Sequence, residues 1–221
     1  MSVCNTALYR EVMPPAPART SPPRPRVSAR REATRARVLD AASEVFAERG
    51  FHGATVEEIC ERAGFTRGAF YSNFSSKDDL VIHLSSRQVE GIVERITAAA
   101  RTEASPEAVL GAVFAALADE PGRHERSVLL TTEFTLHAIR DADARRAWAA
   151  QQRRIREALV SVVDEAIAPR GITLPMTTDQ FVRVAMALTQ GSMTQRLIEP
   201  GALERGELEK VVLPVLLGVR T

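Results

Sequence analysis

TVEEICERAGFTRGAFYSNFSSKDDL, residues 55–80, has the pattern of two short helices joined by a tight turn. Thr55, followed by Glu58 three residues later, forms a capping box that starts the first helix. Gly64 can adopt the left-handed conformation that ends it. The apolar residues between these two ends recur at helical spacing: Val56, Ile59, Cys60 and Ala63.

A second helix is predicted from Arg67 to Phe74, with Thr66 as its N-cap. Phe70 and Phe74 lie four residues apart and face inward. The opposite face carries Arg67, Gly68, Tyr71, Ser72 and Asn73. Two helices joined by a short turn with glycine form a helix-turn-helix, whose second helix enters the major groove of DNA.

The outer face of this second helix suits DNA recognition. Arg67 can donate two hydrogen bonds to guanine, Asn73 can pair with adenine, and Gly68 lets the helix backbone approach the bases. Lys77 is placed at the N-terminus of a further helix, where a phosphate is favoured. Three hydroxyl groups suit phosphate oxygens: those of Thr55, Thr66 and Tyr71.

Four spaced motifs resemble the TetR family of bacterial transcriptional regulators: FAERGF at 46–51, T-x-x-x-I-x-x-x-A-G at 55–64, R-G-A-F-Y-x-N-F at 67–74 and S-K-x-x-L at 76–80. The resemblance covers about residues 28–84. It implies a three-helix DNA-binding head followed by a helical ligand-binding and dimerisation domain. It also implies phosphate contacts from Thr55, Thr66, Tyr71 and Lys77, base contacts from Arg67, Gly68 and Ser72, and a basic arm that includes Arg24, Arg26, Arg30 and Arg31.

Composition limits the class of protein. The 221 residues are 45% hydrophobic, which suits one helical subunit or two small domains that share an interface. Two cysteines do not form a disulfide framework, so we expect a cytoplasmic protein. We find no signal-peptide core and no apolar run of about eighteen residues, so no membrane partner is expected. The net charge of +1 does not indicate DNA binding, which must then depend on where the charges lie.

The sequence divides into three parts. Residues 1–27 contain six prolines and no apolar period, so they are predicted to be a disordered extension. Residues 28–76 are predicted to be the DNA-binding domain, with a first helix from Ser28 to Arg49 that is closed by Gly50. Residues 77–221 are predicted to be the ligand-binding and dimerisation domain.

Only helices are predicted after Lys77, so the fold class is all-α. The first runs to about Arg101, and the rest are separated by proline, glycine or polar breaks. They are predicted at Pro106–Leu117, His124–Arg140, Ala142–Ala168, Thr178–Leu197 and Glu204–Val219.

The last two helices are predicted to form a homodimer interface. The final helix has a wide apolar stripe: Leu208, Val211, Val212, Val215, Leu216 and Val219. In the preceding helix, Gly191 and Ser192 allow close approach of a partner. Two helices from each subunit would form a four-helix interface, and paired recognition helices would read a palindromic DNA operator.

A small-molecule effector is expected between the head and the dimer helices. Leu130, Phe134 and His137 share an apolar side with Glu133 nearby, as a ligand site requires. Alternatively, Glu133 and His137 form an ordinary pair four residues apart. Neither a metal site nor a cofactor is expected, because no third ligand is evident. Further pocket candidates are Phe114, Leu117, Trp148, Met186 and Gln190.

These patterns favour a ligand-responsive regulator, specifically a repressor released from its operator by a small apolar or amphipathic effector. An architectural DNA-binding dimer without a ligand is one alternative. An all-α enzyme is another, but the four scattered histidines, the missing phosphate loop and the missing nucleophile motif give no catalytic residues.

Overall fold

The computed structural model describes residues 29–102 and 123–217, and within these ranges the chain forms helices and no β-strand. The all-α prediction is therefore confirmed. The extension at 1–27, the helix predicted at 106–117 and Val219 lie outside the described residues. The helices are α1 (Ala29–Gly53), α2 (Val56–Ala63), α3 (Arg67–Tyr71), α4 (Lys77–Thr102), α5 (Arg123–Arg140), α6 (Ala142–Ile167), α7 (Thr178–Ile198) and α8 (Glu207–Leu216).

The first helix of the helix-turn-helix forms as the sequence predicts. The Thr55 side chain accepts a hydrogen bond from the Glu58 backbone, and the Glu58 side chain accepts one from the Thr55 backbone. Gly64 closes α2 at φ 70°, and the amide of Phe65 donates to the carbonyl of Cys60 at 2.9 Å. These two ends fix the angle at which the chain enters α3.

Helix α3, the second helix of the motif, is shorter than predicted, because it ends at Tyr71 and not at Phe74. The side chains of Ser72 and Asn73 both donate to the carbonyl of Ala69, each at 2.8 Å. Such local bonds compete with continuation of a helix. Phe70 and Phe74 are nevertheless buried as predicted.

Helix α1 does not end at Gly50 but resumes for one turn as far as Gly53. Gly50 has φ 70° and ψ 173°, which breaks the helix at the predicted residue. The break turns Phe51 into the core, where it is 2% exposed. A Cβ atom at Gly50 would lie 2.8 Å from Oε2 of Glu133 on α5, so a side chain here would have to displace the Glu133 carboxylate.

The remaining helices stack around α6. Helices α4, α5 and α7 pack against it, while α1 packs on α5 and α8 packs on α7. One apolar core joins the head to α5 and α6 and includes Phe51, Phe70, Leu80, Phe134 and Trp148. A second core lies between α6, α7 and α8 and includes Phe181, Val182, Leu213 and Leu217.

The last helix has a buried face and an open face. Leu213 and Leu217 are buried against α7, whereas Val211 and Val215 are 63% and 70% exposed. The helix has ten residues and contains Pro214. These two buried leucines lie outside the predicted stripe, of which Leu216 is partly buried against the second core while Val211 and Val215 are open.

We expect Gly50→Ala to destabilise the protein. A residue with a Cβ atom at φ 70° and ψ 173° costs about 1 to 3 kcal/mol, and the methyl group of alanine would also displace the Glu133 carboxylate. Gly53→Ala is the control, because a Cβ there meets its nearest atom at 3.5 Å. Chemical denaturation compares the two variants, and equal free energies of unfolding would contradict this account of the kink.

Candidate DNA-binding face and ligand cavity

The residues expected at DNA form an open surface on α2 and α3. Most of them are exposed to solvent: Thr55, Thr66, Arg67, Gly68, Ser72 and Tyr71, of which Tyr71 is 51% exposed. Thr66 also caps α3 by accepting a hydrogen bond from the amide of Ala69 at 3.2 Å. Arg30 is exposed near the start of α1.

Arg67 is paired with an acid from the other helix of the motif. Its Nη1 atom lies 2.7 Å from Oε1 of Glu57, and the two side chains are 62% and 57% exposed. The sequence did not indicate this pair, because the two residues are ten apart and meet only when the turn has folded.

Asn73 is turned away from the open surface. Its amide nitrogen donates to the carbonyl of Ala69, and its oxygen accepts a hydrogen bond from Arg31 at 3.3 Å. Its own carbonyl accepts from Arg35 at 2.7 Å, which fastens the end of α3 to α1. Contact between Asn73 and adenine stays a prediction that would require the amide to leave these partners.

Lys77 also points inward in this structure. Its ammonium group donates to the carbonyl of Ala54 at 2.9 Å and lies 4.6 Å from the centre of the Phe51 ring. Burial lowers the pKa of Lys77, against a smaller opposing effect of Asp78. The phosphate contact expected of Lys77 therefore stays a prediction, while the observed contacts tie the start of α4 to the end of α1.

Helix α5 holds the head through two of the predicted ligand residues. The Glu133 carboxylate accepts a hydrogen bond from the amide of Phe51 at 2.5 Å, and His137 Nε2 lies 3.1 Å from Oδ2 of Asp78 on α4. Glu133 and His137 thus contact the head. These contacts differ from both interpretations of the sequence, in which the two residues lined a pocket or paired with each other.

An aromatic cluster surrounds this junction. The ring of Phe51 lies 5.0 Å from those of Phe134 and His137, and Phe134 lies 5.1 Å from Trp148. The Trp148 indole donates to Thr135 at 3.2 Å. Phe134 is fully buried and Trp148 is 6% exposed, so both support the junction.

A cavity of about 290 Å³ lies between α4, α5, α6, α7 and α8. Its size is near the lower end of the range for small-molecule sites. Apolar side chains form most of its wall, including Ile92, Ile96, Ile155, Leu159, Val163 and Phe181. Polar groups come from Ser85, Gln88, Ser127, Thr131, Gln152, Thr189 and Gln190, and the Ser127 hydroxyl donates to the Gln88 side chain.

Two of the predicted ligand residues line this cavity, Met186 and Gln190. Five of the other candidates belong to the head junction and are not among the described lining residues: Leu130, Glu133, Phe134, His137 and Trp148. The remaining two, Phe114 and Leu117, lie outside the described residues. On α4, the lining residues Ser85, Val89, Ile92 and Ile96 follow a helical period. The sequence shows the helical period of these residues, but it does not show which other helices lie opposite them.

Two family models match this chain. Residues 38–84 match the model of bacterial regulatory proteins of the tetR family. Residues 106–217, more than half of the chain, match the model of the C-terminal domain of BetI-type transcriptional repressors. The chain belongs to the TetR family.

TetR-family relatives agree with this assignment. The HTH-type transcriptional activator FasR of Mycolicibacterium smegmatis is 42% identical over 72 residues, which are 33% of each chain. The match thus spans about a third of that relative's length. A TetR-family regulator from Rhodococcus sp. has the same fold, with a TM-score of 0.70 at 16% identity over 84% of this chain and 99% of that one.

A second solved structure shares the fold and contains a ligand. FadR of Bacillus subtilis, in complex with stearoyl-CoA, has a TM-score of 0.63 at 21% identity. The match covers 84% of this chain and 99% of the FadR chain. Identity at this level shows the common TetR fold alone.

The described residues contain neither a metal-ligating cluster nor a helix that could span a membrane. No group of three histidine, cysteine, aspartate or glutamate side chains in 29–102 and 123–217 lies close enough to hold a metal ion. Over the same ranges, no helix combines the length and the apolar character needed to cross a bilayer.

Acid should weaken the fold through His83. Burial and the guanidinium of Arg35 lower the pKa of this histidine, with a smaller opposing effect of Asp79. The unfolded chain therefore binds the proton more readily, so the free energy of unfolding should fall as pH drops through the ordinary histidine pKa of about 6.5. Protonation also places two cations together, since Arg35 Nη2 lies 3.1 Å from His83 Nε2.

Chemical denaturation at about pH 7.5 and pH 5.5 measures this effect. The acid-induced loss should be smaller in His83→Gln than in the wild type. His52→Gln, at an exposed histidine of α1, is the control. An equal acid-induced loss in the wild type and in His83→Gln would contradict the assignment.

Proposed function

We propose that this TetR-family chain is a ligand-responsive transcriptional repressor that binds a palindromic operator as a homodimer. It acts by binding and not by catalysis, in the cytoplasm where bacterial DNA lies. The observation that carries the proposal is the exposed polar face of α2 and α3, held rigidly by a buried core on its other side.

The DNA-binding part of the proposal rests on rigidity and exposure together. Phe70 is fully buried beneath α3, and Arg31 and Arg35 bind the carbonyls of Ser72 and Asn73 at its end. The outer face, from Thr66 to Ser72, is thereby held in one orientation. A fixed helix with small exposed residues can follow the floor of a major groove.

A second copy of this chain is the proposed partner of α7 and α8. Val211 and Val215 on α8, with Val184 and Ile198 on α7, are exposed apolar residues on adjacent helices. Exposed apolar surface of this kind marks association sites. A recognition helix of five residues reaches few bases, so two copies are needed to read a palindrome.

The cavity is the proposed effector site, with Met186 and Gln190 in its wall. An apolar or amphipathic molecule fits this wall, since apolar surfaces dominate it and hydroxyl and amide groups are interspersed. FadR in complex with stearoyl-CoA is a protein of the same fold with an amphipathic ligand, which supports this class of effector.

Release from DNA is proposed to occur through α4 and α5. Both helices line the cavity, through Gln88 and Thr131 for example, and both hold the head, through Lys77 and Glu133. A ligand that favours a different separation of these helices would favour a different separation of the two heads. The population then shifts toward dimers that no longer fit successive major grooves.

Arg67→Ala should weaken binding to the operator recovered by selection from random duplexes. Loss of a bidentate guanine contact costs about 1 to 3 kcal/mol and should relax preference at one base step. Arg146→Ala is the control, because Arg146 is exposed on α6 and pairs with Asp143. The measurement is the dissociation constant of each variant for the operator and for other duplexes at one fixed salt concentration. If Arg67→Ala weakened binding to all sequences equally, the base-reading role of Arg67 would be overturned.

Val163→Phe should weaken ligand binding without affecting DNA binding. Val163 lines the cavity, and a phenylalanine side chain there would occupy part of the space open to a ligand, so we expect about tenfold weaker binding of the apolar dye Nile red. Ala158→Phe is the control, at an exposed position of the same helix. Fluorescence titration gives the affinities. Absence of dye binding by the wild type would favour an architectural DNA-binding dimer.

A further inference from the structure

The ion pair between Glu57 and Arg67 joins the two helices that form the proposed DNA face. Glu57 lies in the first turn of α2, two residues after Thr55, and Arg67 is the first residue of α3. Their charged atoms are 2.7 Å apart, and both side chains are more than half exposed. The pair is therefore on the surface that meets DNA and not in the core behind it.

A carboxylate at this place is unfavourable toward the DNA backbone. Thr55 is expected to contact a phosphate, and an acid in the same helical turn repels phosphate oxygens. The neighbouring Glu58 has a structural role, because it completes the capping box with Thr55. Glu57 instead directs its carboxylate to Arg67.

The geometry of the pair leaves most of the guanidinium available. Arginine carries five N–H donors in a rigid planar fork, and the contact to Glu57 is made by Nη1. The other donors can bind O6 and N7 of a guanine while Nη1 stays with Glu57. An arginine held in this way loses less side-chain freedom when it binds a base.

We propose that Glu57 is a positioning residue that makes Arg67 specific for guanine. It holds one end of the guanidinium, so that the remaining donors face the base edges and not the nearest phosphate. Random DNA gains little from Arg67, because the pair with Glu57 holds the remaining donors away from the nearest phosphate. The inference rests on the proposed function, since it concerns the same DNA face.

The test compares two duplexes, the operator and the same operator with the guanine at the Arg67 step replaced. Glu57→Ala should lower the affinity ratio between them about two- to fivefold, which is the upper part of the range open to an exposed ion pair. Glu57→Gln keeps an acceptor oxygen and should lower the ratio less. Freed from Glu57, Arg67 should also bind phosphates, so the salt slope on random DNA should steepen by about 0.9.

Two controls separate positioning from simple charge repulsion. Glu61→Ala removes the same charge from an exposed position one turn further along α2 and should leave the ratio unchanged. In an Arg67→Ala background, Glu57→Ala should no longer change the ratio. An unchanged ratio in the single variant, or an equal change in both backgrounds, would overturn the inference. A wild-type protein that prefers no duplex would instead overturn the proposed function.

Discussion

The hydrogen bond from the Phe51 amide to the Glu133 carboxylate is the interaction on which the arrangement of the molecule depends. It exists because Gly50 breaks α1 and frees one backbone donor beside α5. A buried donor without a partner is costly, and a charged acceptor gives a strong bond. The same residue, Phe51, then places its ring against Phe134, His137 and the Lys77 ammonium.

At this junction, the two helices that support the head, α4 and α5, are also two of the helices that form the cavity wall. Helix α5 carries Thr131 in the cavity wall and Glu133 at the head, so the two sites are two residues apart in sequence. Helix α4 carries Lys77 at the head and Gln88 in the wall. Both helices pack against α6, so in the proposed release mechanism a change in their separation would be passed on to the head.

The recognition surface is built differently from the junction. Its inner side uses buried phenylalanines and backbone bonds from Arg31 and Arg35, which fix α3. Its outer side keeps exposed charges, such as the pair of Arg67 with Glu57, which we propose to meet DNA. Rigid support beneath a polar surface is what sequence-specific contacts require, since base readout depends on alignment.

Local chemistry was readable from the sequence. The capping box of Thr55, the left-handed Gly64 and the helix break at Gly50 each depend on residues a few positions apart. The all-α class and most helix ends follow from the same rules. The length of α3 was overestimated, because the bonds of Ser72 and Asn73 to Ala69 compete with the helical period.

Contacts between distant segments were not readable. Glu133 follows the spacing of an ordinary α5 surface residue, and nothing in the sequence shows that Phe51 lies opposite it, 82 residues earlier. For the same reason the cavity wall was identified at Met186 and Gln190 but not at Ile155 or Phe181. Periodicity indicates which face of a helix is apolar, while the partner of that face is set by tertiary packing.

Selection of bound sequences from a random duplex pool by the wild-type protein at physiological salt tests the central claim most directly. The account predicts enrichment of a palindrome with two half-sites, whose centres are separated by about one helical turn of DNA or a multiple of it. A single half-site, or no enrichment above non-specific binding, would contradict a dimeric regulator that reads DNA through α3.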